Sequence, residues 1–217
     1  MTKQKVTKAT VIFDFDGTIA DSFEYYFATL NILASKFGFR MIDTSEIDHF
    51  KNLNSHQIID MLKIPRFRLP FIVWEARKLL RNSIGNILPI HGMKDVLSEL
   101  RNKDILLGVI TSNSVKNVKE FLEYYHLAHF DFIFSSLRIW EKSRTLKKVI
   151  YHNKLNHDHV FYIGDETRDI EASKDAGIKS VAVTWGYNSE NILKSYTPDF
   201  LISNPHQILD IIDDSLR

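Results

Sequence analysis

From Pro89 onward, short apolar runs alternate with amphipathic stretches, and this alternation narrows the fold more than any other feature of the chain. Strands are predicted over 105–110, 131–134, 159–163, 180–184 and 199–202, with helices over 94–102, 115–125, 143–152, 168–176 and 205–213. Strands separated by helices of about ten residues form βαβ units, and βαβ units build a parallel sheet. One further strand, Val11-Ile12-Phe13, stands far upstream and stops at Asp14-Phe15-Asp16-Gly17. The stretch between reads as helical. Asp21 and Ser22 can cap a helix that carries Phe23, Phe27, Leu30, Ala34 and Phe37 on one stripe and stops at Gly38. A second helix is predicted over about 45–62, with Ile47, Ile58, Ile59 and Leu62 facing a core, and a third over 69–83. The expected architecture is α/β: a Rossmann-like parallel sheet core from residues 1–19 and 89–217, with an inserted helical cap of residues 20–88.

Composition removes several function classes. The 217 residues are 44% hydrophobic and 25% charged, and 28 Lys+Arg against 27 Asp+Glu leave a net charge of +1. So balanced a chain is not expected to bind nucleic acid or an anionic membrane through a broad electrostatic surface. The absence of cysteine excludes disulfides, thiolate metal sites and a cysteine nucleophile. No run approaches the ~18–20 apolar residues that span a bilayer. The basic start MTKQKVTKAT is followed by no long apolar segment, so a cytoplasmic protein, monomer or homodimer, is expected.

In open α/β sheets, ligands bind beyond the carboxyl ends of the strands. The first strand ends in Asp14-Phe15-Asp16-Gly17-Thr18, the second in Thr111-Ser112-Asn113, and the fourth in Gly164-Asp165-Glu166-Thr167-Arg168-Asp169. Lys142 follows the third. Four aspartates gathered at one edge repel each other and ionise together only around a cation. Oxygen donors without thiolate suit a hard ion, Mg²⁺ first. A cation, a lysine and turn amides together describe a phosphoryl site. Alternation along an extended strand would aim Asp14 and Asp16 the same way, one to attack and its neighbour to handle protons. Gly17 permits the tight turn and close backbone approach.

Those four stretches, in that order and strand context, resemble the four signatures of the haloacid dehalogenase-like superfamily. The placement of the helical insert is similar to that of its phosphoglycolate phosphatase-like branch. The resemblance covers nearly the whole chain and implies a phosphatase acting on a small phosphorylated metabolite. It implies that Asp14 attacks phosphorus to form a phosphoaspartate, and that Asp16 protonates the leaving oxygen and later activates water. Thr111, with Gly17, Ser112 and Asn113 beside it, would hold phosphoryl oxygens, and Lys142 would neutralise charge. Asp14, Asp16 through its backbone carbonyl, Asp165 and Asp169 would hold Mg²⁺. Many relatives carry Lys-Pro at the third signature, where this chain reads Trp140-Glu141-Lys142-Ser143.

A phosphomutase or pyrophosphatase fits the same signatures, and a non-catalytic interaction module is the alternative of a different class. A dehalogenase is disfavoured, because displacing halide from carbon calls for neither Mg²⁺ nor a second proton-handling carboxylate. The nine histidines, His152, His157 and His159 among them, show no paired ligand spacing and are expected on the surface. Phe23, Tyr25, Tyr26 and Phe27 are expected to pack the cap. Among Lys51, Arg66, Arg68, Arg77 and Arg81, one could meet an anionic substrate. Trp185-Gly186-Tyr187 is expected to be a packed turn near the same edge.

Overall fold

The computed structural model describes residues 9–136 and 141–216, so the basic start and Trp140 lie outside the described residues. In chain order the elements begin with β1 (Thr10–Phe13), β2 (Ala20–Asp21), α1 (Phe23–Phe37), α2 (Ile47–Lys51), α3 (Ser55–Met61), α4 (Leu69–Asn82) and β3 (Leu88–Pro89). They continue with α5 (Met93–Asn102), β4 (Leu106–Thr111), α6 (Val115–Tyr124), β5 (Phe132–Ser135), α7 (Lys142–Asn153) and β6 (Val160–Gly164). The last are α8 (Thr167–Ala176), β7 (Lys179–Val183), α9 (Glu190–Ser195), β8 (Phe200–Ile202) and α10 (Gln207–Ser215).

Six strands form one sheet in the order β5-β4-β1-β6-β7-β8, and every neighbouring pair is parallel. β1 is central, with Phe13 registered against Val109 on one side and Ile163 on the other. The strands are apolar without alternation because helices cover both faces. Val11, Phe13, Val109 and Ile163 pack on one face against Met93, Leu97, Phe121 and Ile212. Ile12, Ile110 and Tyr162 pack on the other against Leu146, Ile150 and Ala176. The chain winds from β1 to β4 and β5 on one side, then crosses back to β6, β7 and β8. This reversal opens a crevice at the carboxyl end of β1, where such sheets bind ligands.

The helical insert has its own core, built on Leu33, Phe50, Ile59, Leu62 and Ile72. It departs from expectation in two places. The segment 20–88 is not all helix: Ala20–Asp21 and Leu88–Pro89 pair antiparallel, so the two crossings between sheet and insert are hydrogen-bonded to each other. The helix expected over 45–62 is two helices. It breaks at Asn52–Asn54, where Asn54 accepts from the Gln57 N–H and the Gln57 side chain accepts from the Asn54 N–H, a reciprocal cap that starts α3 afresh. α9 was not foreseen. No helix among the described residues is long and apolar enough to cross a membrane.

Candidate active site

β1 delivers Asp14 to the crevice. Its N–H donates to Ile163 O at 2.8 Å, one residue past the ladder, so the backbone stays registered on β6. Immediately afterwards the chain turns: the N–H groups of Thr18, Ile19 and Ala20 all point to Phe15 O. Gly17 takes φ +73° within this turn, and a Cβ there would lie 2.2 Å from Asp165 Oδ2. Glycine is therefore required twice over, by conformation and by the approach of a carboxylate.

The turn also separates the two aspartates that an extended strand would align. Asp14 Oδ1 accepts from the Phe15 N–H at 2.7 Å and Oδ2 from Lys142 Nζ at 2.5 Å. Asp16 faces elsewhere: Oδ2 accepts from Asn113 Nδ2 at 2.9 Å and Oδ1 from Ser22 Oγ at 3.0 Å. Oxygens of Asp14, Asp165 and Asp169, all buried, lie within 4.8 Å of one another. The Asp16 carboxyl is not one of this group, so the strand alternation that would aim it alongside Asp14 does not hold, and its backbone carbonyl, the group the resemblance implies, is what it could offer. Ser22 stands at the N-cap of α1 without capping it, because its hydroxyl is taken by Asp16 and by Tyr187 Oη at 2.8 Å.

Lys142, the first residue of α7, is 2% exposed and donates to Asp14 and to Asp169 Oδ1, each at 2.5 Å. Burial pushes its ammonium down, but the two carboxylates outweigh burial and its pKa is raised. Asp169 Oδ2 accepts from the Glu166 N–H at 3.0 Å, so this acid also caps α8. Burial raises Asp169 to about 6; Lys142 opposes the rise, and Asp14 and Glu166 add to it. Asp165 accepts from Thr18 Oγ1 at 2.8 Å and from the Tyr187 N–H at 2.7 Å. Burial, then Glu166, Asp14 and Asp169, push its carboxyl well above the usual range. Asp16 is raised to about 6 by burial and by Asp14, against the bonds from Asn113 and Ser22.

These residues fit a divalent cation. Three buried carboxylates face one buried ammonium, so ionising all three together calls for further positive charge, which is why Asp165 and Asp169 are pushed up without it. The donors are all oxygen, as Mg²⁺ requires, and no histidine joins the group among the described residues.

The other predicted residues line the same edge. Thr111 ends β4, fully buried, and its Oγ1 accepts from the Asn113 N–H at 3.0 Å. Asn113 is fixed in turn by Asn117 Nδ2 at 2.9 Å, which aims its amide at Asp16. Ser112 offers its carbonyl outward to Arg77 Nε at 2.8 Å. Of the suggested cations, Arg77 and Lys51 reach this edge, Lys51 with its ammonium 4.2 Å over the Phe23 ring; Arg66 pairs with Asp60, Arg81 with Glu120, and Arg68 donates to Phe37 O. Sequence reasoning missed Glu166 and Arg168, an ion pair beside Asp165. It also undervalued Tyr187. A Cβ on Gly186 would lie 2.3 Å from Asp165, so this turn is packed directly on the carboxylate cluster. Phe23 and Tyr26 pack on the Tyr187 ring, with centroids 5.7 and 4.9 Å away, and so do not serve the insert alone.

The family profile described as haloacid dehalogenase-like hydrolase matches residues 11–183. A phosphoglycolate phosphatase of Synechococcus elongatus is 32% identical over 215 residues, covering 95% of this chain and 98% of its own. Pyrophosphatase PpaX of Oceanobacillus iheyensis is 24% identical over 222 residues, covering 95% and 97%. The crystal structure of a predicted phosphatase from Clostridium acetobutylicum superposes with a TM-score of 0.81 at 22% identity, over 95% of this chain and 99% of that one, which shows a shared fold. With sheet order, insert position and the four sequence stretches in agreement, the chain belongs to the haloacid dehalogenase-like hydrolases.

Proposed function

We propose that the protein is a Mg²⁺-dependent phosphatase that hydrolyses a small phosphomonoester through an aspartyl-phosphate. The observation that carries this reading is the division of labour between two neighbouring carboxylates. Asp14 is bonded to the Lys142 ammonium beside Asp165 and Asp169, while Asp16 is held apart by Asn113 and Ser22. Asp14 is aimed by the Phe15 N–H and the Lys142 ammonium, as a nucleophile must be. Asp16 carries a raised pKa of about 6, which suits an acid that gives up a proton and takes one back.

Asp14 attacks phosphorus, and the bond to the leaving oxygen breaks as Asp16 supplies that oxygen's proton. Asp16 then removes a proton from water attacking the phosphoaspartate, and the Asp14–phosphorus bond breaks to release phosphate. Lys142 and the turn amides around Thr111 neutralise the phosphoryl oxygens. Asp14, the backbone carbonyl of Asp16, Asp165 and Asp169 would hold Mg²⁺, which supplies charge neutralisation at the phosphoryl group. We assign residues 20–88 as a cap over a core of 1–19 and 89–217. Asn188 Nδ2 donates to Leu53 O at 3.0 Å and Ser189 N to Lys51 O at 2.8 Å, bonds that fasten insert to core over the site. Such a cover excludes bulk water.

The test is phosphate release from phosphoglycolate, pyrophosphate and a panel of phosphomonoesters, with and without Mg²⁺. Mg²⁺-dependent release is expected, and Asp14→Asn is expected to lose at least about a thousandfold in kcat while remaining folded. An isomerised product in place of free phosphate would identify a mutase. Wild-type protein as inert as Asp14→Asn across the panel would leave an interaction module.

A further inference from the structure

Tyr187 takes part in no step of the hydrolysis above, yet it is bonded to residues that do. Its N–H donates to Asp165 Oδ2 at 2.7 Å. Its hydroxyl meets Ser22 Oγ at 2.8 Å, and Ser22 Oγ donates to Asp16 Oδ1 at 3.0 Å. Its ring lies against Phe23 and Tyr26 of α1, with centroids 5.7 and 4.9 Å away.

Proton counting fixes the direction of this chain. A serine hydroxyl carries one hydrogen. Ser22 gives it to Asp16, so the phenol is the donor in the contact between Tyr187 and Ser22. The order is Tyr187 O–H to Ser22 Oγ, then Ser22 O–H to Asp16 Oδ1, and each bond in such a chain strengthens the next. Ser22 has left the usual task of a serine at a helix start. Its backbone, at φ −99° and ψ 6°, is not the extended one of a capping residue, and its hydroxyl makes no bond to α1.

The two oxygens of Asp16 are held unequally. Oδ2 is met by the Asn113 amide, which Asn117 fixes. Oδ1 is met by a hydroxyl that can swing about its own Cα–Cβ bond, so it is only as steady as its second partner. That partner is anchored. Trp185 Nε1 donates to Thr18 O at 3.2 Å, and a Cβ on Gly186 would lie 2.3 Å from Asp165. The turn is seated on the acid cluster, and the phenol carries that seating across to Asp16.

We propose that Tyr187 is a positioning residue for the leaving-group acid: through Ser22 it sets the direction in which Asp16 meets the departing oxygen. This rests on the phosphatase reading and adds a residue to it. Tyr187 neither gives nor takes a proton in the reaction, and its influence passes through Ser22 alone.

The experiment compares kcat/KM for ethyl phosphate and 4-nitrophenyl phosphate in Mg²⁺, by phosphate release. This quantity covers the steps up to loss of the alcohol, where Asp16 is the acid, and excludes the later attack of water. Ethoxide needs a proton to depart, whereas 4-nitrophenolate, a weak base, does not. Tyr187→Phe keeps the ring and the N–H and removes the hydroxyl. In it the ethyl-to-nitrophenyl ratio is expected to fall about tenfold, the scale of one hydrogen bond. Both substrates are read in one preparation, so the ratio is blind to any loss of folded protein. Ser22→Ala is expected to show a fall at least as large. The double variant is expected to fall no further than Ser22→Ala, because residues acting in series do not add. Equal losses with the two substrates, or no loss with either, make Tyr187 a packing residue and overturn the assignment while the phosphatase reading stands. Losses that add in the double variant overturn it too, because Tyr187 then acts by another route. Wild-type protein that releases phosphate from neither substrate overturns the phosphatase reading and the assignment with it.

Discussion

Lys142 shows how much rests on a single buried ammonium. It neutralises two carboxylates that are themselves 2% exposed, and each would otherwise face the other across low-dielectric surroundings. Lys142→Met keeps the length of the chain and removes the charge. It is expected to destabilise the metal-free protein by about 3 kcal/mol, because two buried acids lose their partner, and urea unfolding measures this. Residue type and spacing made Asp14, Asp165 and Asp169 legible as a cluster, because each follows or closely trails a strand end. The orientation of Asp16 was not legible. Alternation holds only while the chain is extended, and three N–H groups converging on Phe15 O end the strand before Asp16 is reached. Arg168 and Tyr187 were missed as site residues for a related reason. The Tyr187 ring is placed by Phe23 and Tyr26 of the insert, contacts between segments far apart in sequence.

At the scale of elements, long periodic segments were read well and short ones were not. α1 runs from Phe23 to Phe37 and ends at Gly38 with φ +71°, as its stripe and glycine foretold. The two-residue strands β2 and β3 carry no period to read. The break before α3 contains neither glycine nor proline, and only its Asn-x-x-Gln cap betrays it. One inter-strand staple yields a pH prediction. Asp199, just before β8, accepts from the N–H and Oγ of Ser180 at the start of β7, at 2.9 and 2.8 Å, and lies 3.4 Å from Lys179 Nζ. Partial desolvation pushes its carboxyl up, but these bonds outweigh that and its pKa is lowered. A lowered folded-state value means the stabilisation is complete above the unfolded value near about 3.9 and disappears as pH falls through the folded one. Wild type is therefore expected to be more stable than Asp199→Asn at neutral pH. The gap should close below about pH 4 in denaturant titrations run across that range.

In the proposed division of the chain, the insert of residues 20–88 meets the sheet at the edge that carries the clustered acids. The sheet and its helices hold the acids; the insert, with its separate core, holds the cover. Charge at that boundary is unbalanced by design of the sequence rather than by poor packing: three clustered carboxylates confront one ammonium. On the proposed reading a divalent cation relieves this crowding in the folded state, while the unfolded chain, with these acids dispersed in water, gains little from the same ion. Mg²⁺ should then act as a ligand of the native state alone. At a hundred times its dissociation constant such a ligand contributes about 2.7 kcal/mol. For a chain of this size that corresponds to a rise in Tm of about 5–10 °C. Asp165→Asn removes one of the three carboxylates and lessens the crowding. It is expected to melt no lower than wild type without metal and to show little of the Mg²⁺-induced rise, as differential scanning calorimetry with and without the ion would record. An equal rise in both proteins would place the ion elsewhere and remove the electrostatic reason for gathering acids at the end of β1.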